Sequence, residues 1–150
     1  MAQEIGGRLS ENSFAQSPGI LDADTVSSLS LAYIGDSFYE LTVRTEGLRR
    51  HNGNVNALNK FAKLYARATT QALMAELLKE EMSEKELAVY KRGRNAKGVS
   101  APHTCSVSEY RRATGLETLC GWLYVEGLGE RAGELILRGI ELYERKTEEN

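Results

Sequence analysis

Asp36 and Glu40 stand four residues apart in the stretch TVSSLSLAYIGDSFYELTVRTEG, residues 25–47. At 100° per residue the two carboxylates share one face of a helix, and Arg44 continues the stripe. The same helix places Leu29, Leu31, Tyr33, Ile34, Phe38, Leu41 and Val43 almost all the way round its circumference. Such a pattern predicts a helix held inside the fold or in an interface. A carboxylate there must be paired, hydrogen-bonded or bound to a cation. Two readings follow: a neutralised Asp36 with a plain Glu40–Arg44 ion pair, or acidic oxygens that hold a metal ion. Eighty residues downstream, Glu117 lies on the flank of an apolar stripe formed by Leu116, Leu119, Cys120, Leu123 and Tyr124. From that flank a carboxylate either aims into a cleft, as Asp36 can, or sits in solvent.

Basic side chains crowd a third region. Lys91, Arg92, Arg94, Asn95 and Lys97 are followed by His103, Arg111 and Arg112. With Gly93 and Gly98 to let the backbone approach, this composition suits phosphate and sugar contacts, though a solvated charge run would read the same way. The net charge of −2 gives no global basic field, so a nucleic-acid surface has to be local. His51 and His103 lack the partners of a catalytic base, and no nucleophile elbow, phosphate loop or HExxH motif is present.

The elements that must position these groups are helical. Gly47 is the expected end of the first helix, and Asn52-Gly53 is a turn signal. Asn54 caps a second helix whose apolar spacing runs to about Lys79. Ser83 with Glu86 and Ser106 with Glu109 have capping-box spacing, opening helices on either side of the irregular stretch 93–105. Gly127 and Gly129 close the fourth helix, and a fifth covers about 130–145. No segment alternates with period two, so the fold class is all-α. Residues 1–20 read as a loosely held extension that packs Phe14 or Ile20 onto one domain, 21–146.

At 150 residues, 41% apolar and 27% charged, the chain has the composition of a soluble globular domain. Cys105 and Cys120 offer neither a disulfide framework nor metal-ligand spacing, and read as reduced thiols. No stretch reaches the ~18 apolar residues of a membrane span, and the N-terminus lacks a signal-peptide pattern. A cytosolic location is the expectation.

Three blocks together, LAYIGDSFYELTVR, KRGRNAK and YRRATGLETLCGWLYVEG, resemble the Mini-III branch of the ribonuclease III family over about residues 25–143. The resemblance implies an all-helical endonuclease domain that works as a homodimer and cuts double-stranded RNA with Mg²⁺. It implies metal ligation by Asp36, in the family's LGDS block, and by Glu117. Glu40 either binds a metal-bound water or pairs with Arg44. Full-length relatives carry a further glutamate and aspartate where this chain has Ala32 and Thr114, and Thr118 replaces the usual alanine after the glutamate. The chain ends soon after its last helix, so no separate double-stranded-RNA-binding domain is expected and RNA grip falls to residues 91–112. The implied substrate is a stem of the 23S ribosomal RNA precursor, cut to leave 5′-phosphates, with a ribosomal protein as a candidate helper. The competing expectation is a catalytically inactive RNA-binding or ribosome-associated module on the same fold.

Overall fold

A computed structural model describes residues 21–149. The expected extension 1–20, with Phe14 and Ile20, lies outside the described residues. Six α-helices span the described residues: α1 (Ser28–His51), α2 (Val55–Ala66), α3 (Ala68–Leu78), α4 (Glu84–Arg94), α5 (Val107–Val125) and α6 (Gly129–Glu148). Short 3₁₀ turns occupy Ala23–Thr25 and Lys79–Glu81, and the described residues contain no strand. No helix among them is long and apolar enough to cross a membrane.

The caps fall where the sequence puts them. Asn54 Oδ1 accepts from the Ala57 amide at 3.1 Å. Ser83 and Glu86 form a full capping box, as do Ser106 and Glu109. These caps satisfy amides that the first helical turn leaves without partners.

Two helix boundaries differ from the sequence expectation. Gly47 does not end α1, which runs on to His51; the glycine is buried under the Phe61 ring, where a Cβ would meet Cδ1 at 2.9 Å. Arg49 and Arg50 lie in the last turn, where cations offset the negative end of the helix dipole. The single helix expected from 54 to 79 is broken at Arg67, whose backbone is extended at φ −68°, ψ 137°. No glycine or proline sits there. The cause is tertiary: the Tyr39 hydroxyl donates to the Tyr65 carbonyl at 2.6 Å, taking the acceptor that the Thr69 amide would otherwise use.

The element surrounded on all sides is α5, not α1. It packs against α1, α3, α4 and α6, and buries Leu116, Leu119, Cys120, Trp122 and Leu123. In contrast, α1 leaves one flank open, with Tyr33 81% exposed and Leu29 and Leu41 also exposed. The two helices cross at a pair of glycines. A Cβ on Gly35 would overlap the Glu117 carbonyl oxygen and lie 2.7 Å from the Gly121 nitrogen; one on Gly121 would overlap the Leu31 carbonyl. Backbone meets backbone there, which only residues without a side chain permit. The Thr118 hydroxyl donates to the Thr114 carbonyl of its own helix at 2.8 Å and lies 3.2 Å from the Ser28 carbonyl at the start of α1.

Candidate active site

The glycine crossing brings the two sequence-selected carboxylates together. Asp36 follows Gly35 on α1, and Glu117 lies one turn before Gly121 on α5. Both line a cleft of about 600 Å³, near enough for each carboxyl group to feel the other. Asp36 stands at the exposed mouth, and Glu117 is half-buried behind it. Burial first, and then the hydrogen bond and negative charge of Asp36, push the Glu117 carboxyl up to about 9. Two acidic groups this close relieve their repulsion by sharing a proton or by binding a cation. Oxygen donors beside open solvent are the set that a hard divalent cation such as Mg²⁺ takes. The residues present therefore fit such an ion.

Among the described residues lining the cleft, Asp36 and Glu117 are the only acidic ones. Ala32 and Thr114 also face it, and the Thr114 hydroxyl is turned back onto the Tyr110 carbonyl at 2.9 Å. Glu40 pairs with Arg44 at 2.8 Å across half-exposed side chains, an interaction worth about 0.3–0.5 kcal/mol. It nevertheless shares a side cleft of about 250 Å³ with Asp36. A separate exposed acidic group, Asp22, Asp24 and Glu126, brings three oxygens within 4.8 Å of one another. There Asp24 accepts from Trp122 Nε1 and Lys85 Nζ, each at 3.1 Å, so it clasps the first 3₁₀ turn to α4 and α5.

The basic run is divided by the geometry of α4. Arg94, Asn95 and Arg111 converge on a cleft of about 330 Å³, with Arg94 stacked on the Tyr90 ring 5.7 Å from its centroid. Arg92 is exposed and does not line that cleft; its charge helps to hold the Asp24 carboxyl low, after Lys85 and Trp122. Arg112 Nε pairs with Glu76 at 3.3 Å, which ties it to α3. Lys91, Lys97 and His103 are exposed. Gly93 does not open the backbone to a ligand: it is buried against Thr118, and a Cβ there would overlap that side chain. Gly98, at φ +83°, does reach the acidic cleft, together with Val99 and Ser100. The loop after α4 thus runs between the basic cleft and the carboxylates.

Sequence reasoning missed Gln71, which is buried on α3 yet lines both clefts beside Asp36. It lies inside an alanine-rich helix with no motif around it, and only the break at Arg67 turns it toward the carboxylates. Gly35 and Gly121 were visible as residues, but their partnership is a property of the crossing.

An all-helical domain with paired carboxylates at a helix crossing and a basic cleft alongside is the architecture of a helical nuclease. The chain belongs to the ribonuclease III family: residues 29–128 match the Ribonuclease III domain. Within it the chain stands in the Mini-III branch. It is 41% identical to Mini-ribonuclease 3 of Symbiobacterium thermophilum over 81% of this chain and 93% of that protein. Mini-ribonuclease 3 of a Thermoanaerobacter species is 34% identical over 96% of this chain and 99% of the other. A crystal structure of a Fusobacterium nucleatum protein superposes with a TM-score of 0.69 at 32% identity, covering 78% of this chain and 93% of that one. The protein is an endoribonuclease.

Proposed function

We propose that the protein is a Mg²⁺-dependent, homodimeric endonuclease of double-stranded RNA that matures the ends of the 23S ribosomal RNA precursor in the cytosol. The observation that carries this reading is the placing of Asp36 and Glu117 together at an open cleft, with Arg94, Asn95 and Arg111 on an adjoining surface. The ribosomal substrate, with any ribosomal-protein helper, rests on kinship with the Mini-III branch.

Asp36 and Glu117 would hold the ion, which when bound supplies an activated water and neutralises charge on the leaving 3′-oxygen. The protein's own part is positioning. Glu117 is desolvated by α5 and reaches the cleft only at the level of Asp36, so the two carboxylates define one spot along the groove. Ala32 and Ala113 keep the wall beside them low, leaving width for a sugar–phosphate strand. Arg94 and Arg111 supply fixed donors for backbone phosphates, a contact that selects helix shape over base identity. The open flank of α1, with Tyr33, Leu29 and an apolar groove between Ile34, Phe38, Leu41 and Tyr124, supports a second copy packing there. A two-fold pair would present one cleft to each strand.

The test is incubation with a long RNA duplex in Mg²⁺ or EDTA, followed by end analysis. Staggered cuts bearing 5′-phosphates, seen only with the metal, are expected. Asp36→Asn should still bind the duplex and stop cutting it. Wild-type protein that binds duplex RNA and cuts none would overturn the reading in favour of an inactive binding module. Small residues at Ala32 and Thr114 are the observation behind that alternative.

A further inference from the structure

Gln71 lies in the first turn of α3 and is only 4% exposed, yet its side chain borders both clefts that hold Asp36. It shares those clefts with the small residues Ala66 and Ala68 and with the Asp36 carboxylate. A carboxamide carries two N–H donors and an oxygen with two lone pairs. Gln71 uses little of this. Its Nε2 donates to the Tyr65 carbonyl at 3.5 Å, the outer limit of a hydrogen bond, and that acceptor is already held by Tyr39 at 2.6 Å. Among the described residues this is the side chain's one hydrogen bond. It turns Nε2 toward Tyr65, leaving Oε1 and the second N–H to the clefts.

An amide that presents a spare acceptor and a spare donor side by side at a cleft is matched best by a partner that offers both. A phosphate oxygen only accepts, so it would face the lone pairs of Oε1. A metal ion would use Oε1 and leave the N–H unpaired. A sugar hydroxyl donates and accepts through one atom, and the 2′-hydroxyl is the group that distinguishes RNA from DNA.

We propose that Gln71 receives the 2′-hydroxyl of a ribose flanking the phosphate to be cut, and is a specificity-determining residue for RNA over DNA. This rests on the endoribonuclease reading above, which brings a sugar–phosphate strand past Asp36. Ala66 and Ala68 carry no polar side chain, and the carboxylates of the cleft can only accept, so a deoxyribose at that position takes away the one partner that both donates and accepts.

The experiment uses the full chain and a set of RNA duplexes identical except for one 2′-deoxy nucleotide, moved through the few positions around the cut. For the wild type, kcat/KM should fall about tenfold at one position next to the scissile phosphate and stay nearly flat elsewhere. Gln71→Met, which keeps the volume, should cut the all-RNA duplex about tenfold more slowly. It should be indifferent to the deoxy substitution at that position, and its Mg²⁺ midpoint should equal that of the wild type. The substrate series with wild-type protein needs no variant to fold. A wild type that cuts every duplex of the series equally fast overturns the inference while leaving the nuclease reading intact. So does a Gln71→Met protein that keeps the full deoxy penalty, or one whose Mg²⁺ midpoint is shifted, which would make Gln71 a residue of the metal site. A wild type that cuts no RNA duplex at all removes both readings together.

Discussion

Replacing Gly35 with alanine tests the link between helix packing and chemistry. The new Cβ would overlap the Glu117 carbonyl oxygen and lie 2.7 Å from the Gly121 nitrogen, whereas ordinary contact begins near 3.4 Å. No rotamer change relieves it, because the colliding atoms are backbone. The two helices must part by at least about 1 Å at the point where Asp36 and Glu117 meet. Overpacking of this kind costs about 1–3 kcal/mol, and a backbone collision belongs at the upper end. For a domain of this size 3 kcal/mol lowers Tm by roughly 6–12 °C. A displacement of about 1 Å at reacting groups costs on the order of 100-fold in rate. Thermal melting and the rate of duplex cleavage, measured at a temperature where the variant is still folded, give both quantities. Gly133→Ala is the control. Nothing lies within 4 Å of a Cβ there, and the substitution should stabilise α6 by about 0.5–1 kcal/mol with no change in cleavage. A Gly35→Ala protein that melts and cuts like the wild type would refute the argument that this crossing sets the site.

Two further outcomes follow from the electrostatics. Folding raises the Glu117 carboxyl from 4.5 to about 9, so between those values the folded protein keeps a proton that the unfolded chain has released. In EDTA, Tm should therefore fall as pH rises from about 5 to 8, and Glu117→Gln should remove that part of the slope. Added Mg²⁺ should raise the wild-type Tm more at pH 8 than at pH 5, because the ion takes the place of the shared proton. At the basic cleft, Arg94→Ala with Arg111→Ala should reduce the salt dependence of duplex binding by about two phosphate contacts, measured as the slope of log K against log salt concentration. Arg112→Ala, already paired with Glu76, should change that slope little.

The local signals were strong enough to read in one dimension. Asn54, Ser83 and Ser106 act within three residues of themselves, and each starts its helix as expected. Asp36 and Glu117 were legible as candidates because an acidic residue on an apolar helix needs a reason. What a linear reading lacks is partnership between distant groups. The break at Arg67 follows from the hydroxyl of Tyr39, 26 residues before the carbonyl it captures. For the same reason apolar periodicity marked 25–47 as held in the fold or in an interface but did not show that α5 is the enclosed helix, which the small residues Gly115, Thr118 and Gly121 allow its neighbours to surround. The basic run likewise read as one patch, but helix rotation and the pairing of Arg112 with Glu76 divide it.

The Tyr65 carbonyl that ends α2 belongs to a longer chain of contacts. The Tyr65 hydroxyl donates to Glu144 on the last helix at 3.0 Å, and Glu144 is bridged to Arg50 at 2.6 Å. The joint between α2 and α3 is therefore braced by a strut that begins on α6. A truncation that spares every residue near the carboxylates but removes Glu144 would slacken the joint that turns α3 toward them, so trimming the tail of this enzyme is an intervention on its working groove.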